Sequence, residues 1–324
     1  MSQRIGYLDV AKFIGLALVC FCHIPMPTGN FHAWIYSFHM PLFFLLSGIF
    51  FNPDKFSLKK VSIQLLLPFV LFNFLAIVIN ICLNFIIDRT LEFPRFNLMN
   101  GLMGEYVIGP SWFLLSLFTI RIFCSYMYKY AKMFGLLIGI ILLLLVFLYT
   151  RETNIWNVLN IGSTVLGLPF YLMGFISKDI MIGNINCGGW IVTILLTLIS
   201  CLAMCNGLVG IHAHLYGDNL FAFFFFGWVG TIMLVRWSLY IPIPRRIVNV
   251  FMQGAMFYIC MHTLMFEYML LVWNKLTGDF SGNTLTEKIV VTLLTLVISY
   301  PIIRFMLRYT PILLGKQVKN ECTI

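Results

Sequence analysis

Charge is what this sequence has least of: 10% of its 324 residues are Asp, Glu, Lys or Arg, while 60% are hydrophobic. Soluble domains carry roughly 25% charged residues, and so little polar surface cannot cover a water-facing globule. The same shortage excludes disorder, because so apolar a chain collapses or inserts. Polar–apolar alternation is also missing. Runs such as Leu136–Leu148 are continuously apolar, which excludes a membrane barrel and leaves bilayer-spanning helices. No Cys-x-x-Cys pair exists among the nine cysteines, most of which lie inside apolar runs as small hydrophobes. No disulfide framework is expected. His32 and the pair His212 and His214 fall in loops with no third ligand at suitable spacing, so no metal site is expected. The first apolar stretch is interrupted by Asp9 and Lys12 and has no small-residue cleavage site. It reads as a retained span rather than a signal peptide.

What is present organises itself around the membrane. Hydropathy predicts an all-α, polytopic integral membrane bundle of about ten transmembrane helices, near 7–24, 35–52, 63–87, 107–128, 134–150, 161–177, 189–209, 219–236, 247–273 and 286–308. Short segments rich in Asn, Gly, Pro and charge separate them. No linker delimits a second domain, so residues 1–312 are expected to form one unit and 313–324 a short tail. The net charge of +9 is read as loop charge and not as a nucleic-acid footprint. With the N-terminus in the cytoplasm, every Lys and Arg except Arg89, Arg95, Arg151, Lys275 and Lys288 falls on the inner side. The positive-inside rule then places both termini in the cytoplasm. Two segments echo each other, Pro41–Gly48 (PLFFLLSG) and Pro169–Gly174 (PFYLMG). Their small residues suit close helix packing, and the echo reads as shared packing chemistry.

The first span carries the strongest chemical signal. Lys12 and His23 are eleven residues apart, about three turns and roughly 16 Å of rise, and fall within about 20° of one helix face. Asp9 joins that stripe. Ionisable residues within spans are costly and mark functional sites by default. Asp9 and Lys12 also fit a snorkelling ion pair at the helix end, whereas His23 sits deep enough for a catalytic or relay role. Its imidazole titrates near neutrality. His39 opens the second span at nearly the depth where His23 closes the first, with an interfacial histidine bonded to backbone as the other reading. Trp112, after Gly109 and Pro110, fits an interfacial anchor, while Arg121 lies about nine residues deeper. His262 and Tyr258, one turn apart in the ninth span, fit a buried structural pair as well as a catalytic one. Lys59 and Lys60 suit an anionic ligand and lipid headgroups equally.

These residues carry a resemblance. Tyr7-Leu8-Asp9-x-x-Lys12 followed by His23 resembles the opening of acyltransferase family 3, the multi-spanning membrane O-acyltransferases. Phe38-His39-Met-Pro-Leu-Phe-Phe-x-x-Ser47-Gly48 resembles that family's second span, most of all in the branch of fucose 4-O-acetylases and related sugar acetyltransferases. Pro110-x-Trp112-Phe113-Leu114, Pro169 to Gly174, Gly254 through Tyr258 to His262, and Tyr300-Pro301-Ile-Ile-Arg304 follow in order. The chain departs where the family usually has Arg at the position of Lys12. Gln64 also replaces one member of a basic pair before Pro68, which removes a bidentate anion grip, and Met256-Phe257 stands where Ser-Leu is familiar.

The resemblance implies transfer of an acyl group, usually acetyl, from cytoplasmic acetyl-CoA or another acyl-CoA to a glycan hydroxyl, surface or lipid-linked, in a bacterial cytoplasmic membrane. It implies His23 as the catalytic residue, with His39 orienting it or binding the acceptor. Asp9, Lys12, Lys59, Lys60 and Arg121 would hold the acyl-CoA or organise its site. Trp112, Tyr258 and His262 would serve the acceptor. Neither a metal nor nucleic acid is expected, and membrane lipids are the other partner. The rival class is a transporter or flippase using the same residues as a proton relay.

Overall fold

A computed structural model describes residues 5–24, 29–88, 103–183, 185–277 and 285–316. Of the charges used above for sidedness, Arg4, Arg89, Arg95 and Lys319 lie outside these residues. The described chain is almost entirely helical: α1 (Gly6–His23), α2 (Asn30–Ile49), α3 (Leu58–Val61), α4 (Leu67–Asp88), α5 (Trp112–Thr150), α6 (Ile161–Ile176), α7 (Lys178–Gly183), α8 (Gly189–Cys201), α9 (Leu220–Trp237), α10 (Arg245–Gln253), α11 (Ala255–Thr277) and α12 (Leu285–Tyr309). One two-stranded hairpin, β1 (Val209–Gly210) with β2 (Leu215–Tyr216), interrupts them.

Among the described residues, eight helical stretches are long and apolar enough to cross a membrane. One of them, Gly109–Thr150, covers two of the expected spans. A straight helix of the 39 residues of α5 would run roughly 58 Å, about twice the hydrocarbon thickness. It does not run straight. Lys132 leaves helical geometry at φ 55°, ψ −160°, a region costly for a residue with a Cβ. Beyond it, Gly139 lies against the side chains of Met127 and Phe123, so the chain doubles back at Lys132. The outward faces are apolar: Phe134 is 75% exposed, Ile191 73% and Val297 67%. An apolar exterior of this kind suits hydrocarbon and not water.

The centre of the bundle is α2, which lies against α6 and α9 with α1 beside it. Its contact with α6 explains the echo between the two proline–glycine segments. A methyl group on Gly48 would overlap the Tyr171 carbonyl, and one on Gly174 would overlap the Leu45 carbonyl. Each segment therefore supplies the glycine that admits the other's backbone, the close approach that small residues permit in membranes. At the far side of α9, Arg236 is 3% exposed. Its guanidinium donates to the carbonyls of Ile185, Cys187 (3.0 Å) and Gly189 and to Thr193 Oγ1 (2.9 Å). That buried cation is fully occupied in fixing the turn before α8.

Candidate active site

Two cavities lie on opposite sides of a thin apolar partition. The first, about 300 Å³, is lined by His23, Tyr36, His39, Trp112 and His212 among others. The second, about 370 Å³, is lined by Asp9, Lys12, Ser47, Gln64, Arg121, Gln253 and Lys316. Phe43, Phe113 and Ile259 line both, so one layer of side chains separates them. The rings of Phe43 and Phe113 meet edge to face at 5.9 Å. Gly15 makes room for this arrangement, since a Cβ there would press on Leu42 and Phe43.

The helices place the histidines. His23 is the last residue of α1, and its Nδ1 donates to the Val19 carbonyl one turn earlier, at 2.7 Å. His39 is buried in α2 and makes the same bond, from Nδ1 to the Ile35 carbonyl at 3.1 Å. A carbonyl only accepts, so both Nδ1 atoms carry a proton, and in the neutral ring the lone pair is on Nε2. Tyr36 flanks His39 with ring centroids 4.7 Å apart.

His262 and Tyr258 stand behind His23 and do not line the cavity. The ring of His262 lies 5.1 Å from that of His23 at 74°, with Nδ1 directed to the carbonyls of Tyr258 (2.8 Å) and Ile259 (3.1 Å). Both residues are fully buried. They pack the back of the His23 ring and fix its plane.

His212 reaches the first cavity from the β1–β2 hairpin. It stacks on Trp112, with centroids 5.3 Å apart and planes 12° from parallel. Its Nδ1 lies 3.1 Å from Asn160 Oδ1, while Asn160 Nδ2 donates to the Tyr106 hydroxyl at 2.7 Å. Burial, and then the nearby His23, push the His212 pKa below its ordinary 6.5. Asn206 shapes the hairpin: its Nδ2 donates to the Tyr216 carbonyl at 3.0 Å, and its Oδ1 accepts from the Asn219 amide at 2.9 Å. In the sequence, His212 stands out only as a loop histidine. The signal that was available is the aromatic and histidine content of a short loop between two spans.

In the second cavity, Lys12 extends its ammonium over the Phe50 ring, 4.9 Å from the centroid. Arg121 Nη1 donates to Gln64 Oε1 at 3.5 Å. Gln64 belongs to a π-helical turn, Ser62–Leu66, between α3 and α4, a local irregularity that often marks functional positions. Lys316 Nζ donates to Gln253 Oε1 at 3.0 Å. The segment carrying Lys316 closes one mouth of the cavity. Leu314 is buried, and Gly315, at φ +69°, sits against the Gln64 backbone. Lys59 and Lys60 are exposed on α3 and line neither cavity. Among the described residues, no group of three His, Cys, Asp or Glu is placed to hold a metal ion.

Imidazoles on one side of a partition and cations on the other suit proton transfer at one end and anion binding at the other. The comparison with known proteins identifies the chemistry at family level. No curated protein and no solved structure matches the chain. Residues 5–304 match the family model described as an acyltransferase domain, so the chain belongs to that family and is a multi-pass membrane acyltransferase.

Proposed function

We propose that the protein moves an acyl group, acetyl in the first instance, from cytoplasmic acyl-CoA to a hydroxyl of a surface or lipid-linked glycan, in the manner of the fucose 4-O-acetylase branch and within a bacterial cytoplasmic membrane. The observation that carries this reading is the pair of cavities sharing Phe43, Phe113 and Ile259. Lys12, Arg121 and Lys316 supply cations where the phosphates of the donor bind, and the pantetheine arm passes the partition toward His23. Asp9 shares that cavity and orients its cations.

In the reaction, His23 Nε2 accepts the proton of the acceptor hydroxyl as the oxygen attacks the thioester carbonyl. The carbon–sulfur bond breaks, the ester forms, and the imidazolium returns the proton to the departing thiolate. The Val19 bond holds the ring in the tautomer this requires. General-base assistance of this type contributes about 10²–10⁴-fold. Confinement of both substrates contributes further by removing translational freedom. His39 presents a second lone pair to the same space and binds or orients the acceptor.

The test uses purified protein in nanodiscs with acetyl-CoA, following CoA thiol release and ester formation on envelope glycan by mass spectrometry. Expected are glycan-dependent thiol release and an acetyl mass increment, both abolished by His23→Gln. Undiminished turnover in that variant would overturn the assignment.

A further inference from the structure

We propose that His212, carried by the β1–β2 hairpin, binds a second hydroxyl of the acceptor, next to the one acylated, and so makes the enzyme selective for polyhydroxylated acceptors. This rests on the acyltransferase reading above and assigns a residue that neither the family match nor the spacing of the sequence singles out.

Hydrogen-bond roles fix which nitrogen of His212 carries the proton. Asn160 Nδ2 donates to the Tyr106 hydroxyl, so the oxygen facing His212 is Oδ1, which only accepts. His212 Nδ1 must therefore carry the proton, and Nε2 keeps its lone pair. Burial keeps the ring neutral, which preserves that lone pair at physiological pH. A lone pair on a cavity wall accepts from a hydrogen-bond donor, and a sugar hydroxyl is such a group.

Position separates His212 from the other histidines that pack into the protein. His262 and His214 each bury Nε2 with no hydrogen-bond partner, and His214 presses its ring against Gly162. His212 lines the cavity that also holds His23 and His39. Its ring is fixed from two directions, by the Trp112 face and by Asn160. Asn160 is itself anchored through Tyr106 in a left-handed conformation, φ 54°. Three imidazoles thus border one space of about 300 Å³, room for a sugar ring. One imidazole deprotonates the reacting hydroxyl, and the others read its neighbours. A site that hydrogen-bonds a hydroxyl favours an acceptor that carries it over an analogue that lacks it.

Two variants separate the roles of the two ring nitrogens. His212→Asn keeps a donor for Asn160 and removes the acceptor that faces the cavity. His212→Gln places an amide oxygen near the Nε2 position. Purified protein of each variant is assayed for acetyl-CoA affinity, and cells for acyl content of envelope glycan. His212→Asn is expected to lower glycan acylation about five- to tenfold, the loss of roughly one hydrogen bond, with acetyl-CoA affinity unchanged. His212→Gln is expected to restore most of the acylation. His214→Asn controls for the hairpin and is expected to acylate as the parent does. Normal acylation by His212→Asn, or equal failure of His212→Gln and His212→Asn in protein that remains monodisperse, overturns the proposal. If the parent releases no CoA thiol, the transferase reading itself fails and this inference falls with it.

Discussion

The two cavities use opposite building methods. On the histidine side, each catalytic or candidate binding ring is pinned by an acceptor close at hand: His23 by Val19, His39 by Ile35 and His212 by Asn160. Short side chains with only two torsions are held to one orientation, as chemistry at a defined atom demands. On the other side the groups are long. Lys12, Arg121 and Lys316 come from α1, α5 and the segment after α12, and their partners are an aromatic ring or glutamine amides. Such side chains adapt to a charged, flexible ligand at the cost of rotamer entropy. On the proposed reaction, rigidity sits where a proton moves and adaptability where charge is neutralised.

That contrast is broken most directly at His23. His23→Gln should lower kcat by about 10²–10⁴-fold with little change in donor KM, as read by thiol release. An effect confined to KM would place the ring on the binding side instead. Arg121→Gln and Lys12→Gln should do the reverse, raising acyl-CoA KM by about 10–100-fold, since a charge-assisted hydrogen bond contributes roughly 1.5–3 kcal/mol. Steady-state titration of acetyl-CoA measures this, and a fall in kcat at unchanged KM would contradict it. The partition should govern the size of the acyl group. Ile259→Ala should improve propionyl- and butyryl-CoA relative to acetyl-CoA by about 10-fold, within the range that one or two methylenes contribute to discrimination. An unchanged preference would show that the donor does not pass there. Lys59→Gln with Lys60→Gln should alter acyl-CoA KM by less than about twofold, because exposed charges contribute little. A larger effect would extend the cation site onto α3.

The hairpin offers a further, smaller contrast through pH. Burial lowers the pKa of both His212 and His214 from the ordinary 6.5. The folded hairpin therefore binds fewer protons than the unfolded one below that value. Stability present near pH 7 should decline as pH falls through about 6.5. Thermal unfolding in detergent should show a small decrease in Tm between about pH 7.5 and about pH 5.5, flattened in the double variant His212→Asn, His214→Asn. A Tm that rises on acidification would contradict the sign.

How far the sequence reveals this arrangement depends on where each residue lies. Asp9, Lys12 and His23 share one helix, and helical periodicity alone brings them to one face; α1 distributes them between the two cavities. The Gly48 and Gly174 segments were legible as packing elements because backbone proximity requires glycine whatever the partner. His212 and Lys316 were not legible, since a hairpin and a segment beyond the last span reach their sites through tertiary folding that no period encodes. His262 shows the opposite limit. Its sequence neighbourhood suggested a place with Tyr258 in an acceptor site, yet the helix turns both toward protein, behind His23. Lys59 and Lys60 illustrate the same point for charge, because the π-helical turn that follows brings Gln64, and not the lysines, to the cavity wall.

The partition of Phe43, Phe113 and Ile259 has a consequence for the cell that holds this protein. A bilayer enzyme serving two compartments risks short-circuiting the ion gradients across its membrane. Aromatic and branched side chains one layer thick exclude water wires by dewetting, yet yield to a slender thioester arm. On the proposed reaction, the barrier that the acyl group crosses is also the seal that keeps protons from following it.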